Sequence, residues 1–370
     1  MFSATAQARD CIRLWQRCPQ GPYVRRKRMN LKTLAVACVD ISGAAWLMRP
    51  FYQGRGAILG LHRVLPAHEP VRQEPGNVIR VEQLREAIQY LQRGGWKFVS
   101  LDEIPARLRQ DERGFVAVTI DDGYADNLIY GLPLFREFNV PFTVFPVTGF
   151  LNRTRIYWPV LVPPLLDSDR IVLRHSERGT LEFPCVTEEE KLAVIPRLWS
   201  SGWTEAELER SLIAACERRG CDVKEVLDRE FLSWDQLRTL AQDPLASVGV
   251  HTMSHRVLAR LPVDEAEQEM SGARAELESK LGVRVRHIAY PYGSAGACGE
   301  REFRMAQQLG FATGCTTKRG NLHARHAGTL WSLPRHTLSM VPHAANIRRY
   351  LRISLFGVWD SPLNGTIITR

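Results

Sequence analysis

The 370-residue chain predicts an α/β fold built on a parallel sheet or barrel. Three observations predict it. From about residue 56, short apolar runs alternate with amphipathic stretches of helical period, the pattern of repeated strand–helix units. Residues able to do chemistry follow directly on the apolar runs, as they do at the carboxyl ends of barrel strands. The apolar content of 45% and charged content of 24% are those of a chain able to bury a large core.

Residues 1–55 read as a basic N-terminal extension. Of the formal charge of +9, +7 falls in the first 50 residues, where nine Lys and Arg face only Asp10 and Asp40. The charge therefore belongs to the extension and gives the body no nucleic-acid-binding character. Leu31, Leu34, Cys38, Ile41, Ala45 and Met48 share one helix face. Such a helix either packs on the body or lies in the interface of an anionic membrane as a peripheral contact. The apolar run Leu34–Val39 stops at Asp40, too soon to span a bilayer. No convincing cleavage site follows Arg25–Arg28, so a cytoplasmic location is expected, with membrane association through this segment as the alternative. Eight scattered cysteines without a Cys-x-x-Cys pair read as reduced thiols.

The body is expected over residues 56–345. Ala57–Leu61 reads as a strand ending at His62, Val81–Gln92 as a helix, Phe115–Ile120 as a strand running into Asp121, and Phe142–Val147 as the next strand. Residues 152–230 break the alternation. Trp158, Pro159, Pro163 and Pro164 give an irregular start, and Thr187 with Glu190 and Thr204 with Glu207 form two capping boxes. This is a helical insertion, either walling a substrate groove or serving as scaffold. Ser247–Val250 is a strand ending at His251. Asp264 with Glu267 caps a helix that Gly282 ends, and His287–Tyr290, Phe311–Cys315 and Leu330–Leu338 are later strands. Residues 346–370 form a C-terminal tail.

Two segments carry the chemistry. Asp121-Asp122-Gly123 ends one strand, and His251-Thr-Met-Ser-His255 ends another. One carboxylate and two imidazoles form a zinc-binding set with a coordination position to spare. A second carboxylate beside the first can serve as a base toward water. Neighbouring side chains at a strand end point to different sides, so the two aspartates can divide these tasks.

In these segments the chain resembles the NodB-type polysaccharide deacetylases (carbohydrate esterase family 4). Thr119-Ile-Asp-Asp-Gly123 is similar to the first motif of that family, His251-Thr-Met-Ser-His255 to the second and Ala289-Tyr-Pro-Tyr-Gly293 to the third, in order over roughly residues 56–345. The resemblance implies an incomplete (β/α) barrel, here with a helical insertion. It also implies removal of N-acetyl groups from sugars of a polysaccharide or glycan precursor. Asp121 would be the base. Asp122, His251 and His255 would hold Zn2+ or another divalent ion such as Co2+. The backbone N–H of Tyr292 would face the oxyanion. Tyr124, Pro291 and Trp158 are expected to line the sugar.

The chain departs from the family pattern in three places. Ala289 stands where the third motif commonly has the arginine that orients the base; Arg335 or another cation is the candidate replacement. A clear late Leu-x-His motif for the general acid is absent. His62 in Ile58-Leu-Gly-Leu-His62-Arg-Val64 resembles the early strand-end histidine of the poly-N-acetylglucosamine deacetylase branch, and His336 is its rival. The secretion signal frequent in the family's cell-wall enzymes is not evident, which points to a lipid-linked or nucleotide-linked sugar as substrate. Alternative readings are an amidase or deformylase acting on another amino-sugar acyl group, and a non-catalytic glycan-binding relative.

Overall fold

A computed structural model describes residues 54–69, 75–338 and 347–355. The N-terminal extension and its amphipathic helix lie outside the described residues, as does most of the C-terminal tail. The chain divides into two compact units.

The larger unit holds a parallel sheet. The unit's strands are β1 (Gly56–Leu61), β2 (Arg63–Leu65), β3 (Val78–Arg80), β4 (Lys97–Phe98), β5 (Phe115–Asp122) and β6 (Phe142–Pro146), with β2 and β3 paired to each other apart from that sheet. After the smaller unit's hairpin of β7 (Arg170–His175) and β8 (Gly179–Pro184) come β9 (Ala246–Val248), β10 (His287–Ala289), β11 (Thr313–Cys315) and β12 (His336–Thr337). The main sheet runs β12-β1-β5-β6-β9, with β4 beside β5. β10 and β11 form a separate parallel pair. Only single bridges, Val250 to Ile288 and Cys315 to Leu333, link that pair to its neighbours. The result is an incomplete barrel, strands curled toward closure without continuous ladders at two seams.

Alternation within the strands explains the two layers. Ala57, Leu59 and Leu61 of β1 and Val116, Val118 and Ile120 of β5 pack outward against Leu84, Ile88 and Leu91 of helix Val81–Arg93. Ile58, Phe115, Ala117, Phe145, Ala289 and Cys315 fill the interior. Every residue of β1 and β5 is buried, as befits strands covered on both faces. Thr119 and Asp121 share the inward parity of Phe115 and Ala117.

Several sequence expectations are corrected. The long helix is Val263–Leu281, with Pro262 rather than Asp264 in the capping position; proline preorganises the turn without a side-chain cap. The expected strand Leu330–Leu338 is a short helical turn, Leu330–Ser332, followed by the two-residue β12. The smaller unit, Gly149–Ser233, is not purely helical. The β7–β8 hairpin pairs six residues antiparallel, with Ile171, Leu173 and Phe183 buried. Both predicted capping boxes are present, with Thr187 and Thr204 each accepting from the N–H three residues on. His287 is buried at the start of β10, where Nδ1 meets Thr313 Oγ1 at 2.8 Å and Nε2 meets Asp102 Oδ1 at 3.0 Å.

Candidate metal centre and catalytic residues

The site lies at the carboxyl ends of β1, β5 and β9 and of the loop after β10. β5 ends in Asp122, whose φ of +72° and the φ of +75° at Gly123 turn the chain sharply. A Cβ at position 123 would stand 2.8 Å from Pro146 Cβ, so only glycine fits. This turn sends Asp122 away from the interior that Asp121 enters. Four of the seven described non-glycine residues with positive φ, Asp122, Thr252, His255 and Tyr292, belong to this site. Strain of this kind persists only where surrounding contacts enforce it.

Asp122, His251 and His255 converge. Asp122 Oδ1 is 3.4 Å from Nε2 of each histidine and, although buried, accepts no hydrogen bond. Two ligands each about 2.1 Å from a common tetrahedral centre stand about 3.4 Å apart, so the separation fits a shared zinc-sized ion. His251 Nδ1 meets Ala289 O at 2.7 Å, which commits that nitrogen to the backbone and turns Nε2 toward Asp122. Burial would raise the Asp122 carboxyl, but the His251 ring against it and the nearby His255 and His62 hold it well below the usual carboxylate range. Burial pushes His255 down to about 4, so it is a neutral donor at neutral pH. These residues fit a divalent cation.

Asp121 is held differently. Arg335 Nη1 and Nη2 donate to its two oxygens at 2.8 and 2.7 Å, with both side chains buried. Arg335 is itself fixed by Nη1 to Thr119 Oγ1 (3.1 Å) and Nε to Thr316 O (2.9 Å). Burial would raise Asp121, but Arg335 foremost, then His251 and His62, keep it below its ordinary value. Arg335, the candidate replacement for the arginine that the third motif lacks at Ala289, is thus the cation paired with Asp121.

The two candidate acids lie in different surroundings. His62 follows β1, and its backbone carbonyl accepts from Asn127 Nδ2 at 2.9 Å. His336 is fully buried, its Nε2 bound to Asn321 Oδ1 at 2.8 Å, and burial drives it down to about 3. A histidine lowered that far stays neutral at physiological pH and is a poor proton donor.

Two of the expected sugar contacts are corrected. Tyr124 is 1% exposed, with the Arg63 guanidinium 4.7 Å above its ring. Trp158 is 2% exposed and packs against Trp199 within the smaller unit. Neither presents a face to a pyranose. Pro291 is buried, and Tyr292 is partly exposed with its ring 4.9 Å from that of His255.

Supporting residues escaped the sequence reading. Asp126 accepts from Arg63 Nε (2.7 Å) and Val64 N (2.9 Å), and Asn127 Nδ2 donates to His62 O (2.9 Å). Together they fix the segment that carries His62, at the head of a π-helical turn over Asn127–Gly131. Glu269 Oε2 accepts from the N–H groups of Met253 and Ser254, each at 2.9 Å, and its other oxygen accepts from Ser254 Oγ. It clamps the strained loop between the two histidines. No spacing marked Glu269 among the acidic residues of its helix; only its 8% exposure sets it apart. Glu269→Gln is expected to weaken zinc binding about 10–100-fold, the usual penalty for losing a ligand's support. Competition with a chromophoric chelator measures this; unchanged affinity would mean that Thr252 Oγ1, which accepts from His255 N, holds the loop unaided.

Fold and site together define a barrel-type hydrolase with paired aspartates beside a candidate metal centre. The family model described as polysaccharide deacetylase matches residues 109–314, and the chain belongs to that family. It is an enzyme, a deacetylase of the amidohydrolase type. No curated protein matches it by sequence. Among solved structures it is similar to a Streptococcus pyogenes deacetylase, PplD, in complex with acetate (17% identity, 80% of this chain and 97% of that one, TM-score 0.53). It is also similar to a de-N-acetylase from Aggregatibacter actinomycetemcomitans (15%, 80% and 99%, 0.50) and to IcaB from Ammonifex degensii (16%, 82% and 98%, 0.50). At these identities the likeness is one of fold.

Proposed function

We propose that the protein hydrolyses the N-acetyl amide of a hexosamine in a glycan or lipid-linked glycan precursor, with Zn2+ or a similar ion held by Asp122, His251 and His255. The observation that carries this reading is the buried, unpartnered Asp122 Oδ1 set 3.4 Å from two imidazole nitrogens, next to an aspartate anchored for a different task. When bound, a divalent cation acidifies a water and polarises the amide carbonyl.

Asp121 takes the proton from the attacking water. Its two bonds from Arg335 leave further lone pairs free to accept, because a carboxylate offers about four. Its lowered pKa keeps it ionised at neutral pH. The backbone N–H of Tyr292 meets the charge that develops on the carbonyl oxygen. His62 protonates the departing nitrogen, so the C–N bond breaks to give acetate and a free amine. The fold neighbour from Streptococcus pyogenes was solved with acetate, the product expected here. A lipid-linked substrate is favoured by the basic amphipathic segment before residue 50.

The test is acetate release from N-acetylglucosamine oligomers and lipid-linked N-acetylhexosamines, before and after chelation, with zinc or cobalt restored. Release should vanish on chelation and return with metal. His62→Ala should lower kcat about 10²–10⁴-fold, while His336→Gln should leave it within a few-fold. A metal-independent rate, or the opposite ranking of the two histidine variants, would refute the assignment.

A further inference from the structure

In the smaller unit, helix Glu205–Glu217 closes in a left-handed turn far in sequence from the catalytic motifs. Arg219 N and Cys221 N both donate to Cys216 O, at 2.9 and 3.0 Å, and Gly220 N donates to Glu217 O at 3.0 Å. Gly220 has φ +67°. This is a Schellman closure, which sets the side chain three positions before the helix end against the one just beyond the turn. Two apolar groups commonly meet there. Here the two side chains are both thiols, Cys216 and Cys221.

Their geometry suits a covalent link. An N–H···O bond of 3.0 Å from Cys221 N to Cys216 O holds the two Cα atoms within about 7 Å, given standard backbone bond lengths. Disulfides span Cα separations of about 4.4–6.8 Å. The surroundings are asymmetric. Cys216 is fully buried and directs its Sγ toward Leu161 O at 3.7 Å, whereas Cys221 is only partly buried. Burial, and then the neighbouring Cys221, push the Cys216 thiol up to about 12. Cys221 is therefore the thiol that an external reagent meets first, and Cys216 is the internal partner waiting against it. Both are free thiols in the structure.

We propose that Cys216 and Cys221 form a reversible dithiol–disulfide pair, a redox modification site in the smaller unit that takes a glutathione-type disulfide as oxidant. The Cys221 thiolate attacks one sulfur of that disulfide, forming a mixed disulfide and releasing one thiol. Cys216 loses its proton and attacks Cys221 Sγ, forming the internal disulfide and releasing the second thiol. Two protein thiols are oxidised and one small disulfide is reduced. The product staples the end of the helix across its own turn.

The experiment incubates the reduced full-length chain with oxidised glutathione, alkylates the remaining thiols and maps the products by mass spectrometry. The expected result is a Cys216–Cys221 link two hydrogens lighter than the dithiol, reversed by dithiothreitol. Cys216→Ser should instead accumulate a stable glutathione adduct at Cys221, because the resolving thiol is gone. A stable adduct at Cys221 in the unsubstituted chain would overturn the proposal, as would both cysteines remaining alkylatable.

Discussion

Asp121→Asn should leave the metal bound and lower turnover by about 10²–10⁴-fold, the contribution usual for a positioned general base. The amide keeps the shape of the carboxylate but cannot take up a proton. The three candidate ligands lie elsewhere, on Asp122, His251 and His255, so metal content should stay near that of the parent. Metal analysis beside acetate release separates the two effects. Loss of metal together with activity would make Asp121 a ligand rather than the base. A near-normal rate with metal retained would place the base on another residue. The substitution also leaves a neutral partner for the buried Arg335 guanidinium, so thermal unfolding belongs in the same series.

Arg335→Met should destabilise the fold by about 3–5 kcal/mol, because it leaves a buried carboxylate without its counter-charge. The pH dependence carries the mechanistic content. In the parent, Arg335 leads the groups that outweigh burial and depress the Asp121 pKa. The stabilisation from this depressed group is present above the unfolded carboxylate value of about 3.9 and is lost as pH falls through the folded value. Without the guanidinium, burial is less opposed and the folded pKa rises. The base is then protonated at higher pH, so the acid limb of the kcat/KM profile moves upward. A merely structural role would lower the stability and leave that limb in place. Arg335→Lys keeps a charge but loses the two-pronged fit to the carboxylate, so it should fall between parent and Met variant on both measures.

The catalytic motifs were legible because each is local. Asp121 and Asp122 follow an apolar run, and His251 and His255 are four residues apart, so their chemistry shows without knowledge of the fold. The strand–helix alternation was equally visible, since burial on both faces leaves continuous apolar runs such as Phe115–Ile120. The hairpin of β7 and β8 was hidden. Its strands carry Arg170, Arg174, His175, Thr180 and Glu182, and only Ile171, Leu173 and Phe183 of the twelve residues are buried, which reads as polar irregular chain beside the two strong helix caps. Tyr124 and Trp158 misled for a related reason. An aromatic near a predicted site looks the same in sequence whether its face meets a sugar or, as here, Arg63 and Trp199.

Sequence alone determined which residue types could bind a metal and move a proton, and that they stand at strand ends, because ligand chemistry and hydrophobic period are written into short segments. Tertiary structure decided how those residues are held. Arg335 reaches Asp121 across 214 positions, Glu269 reaches back to the histidine loop, and His336 is sealed in the core. Those outcomes depend on burial and on long-range ion pairs. Both arise only when distant strands are brought side by side, where low dielectric and close approach set the charge that each group carries.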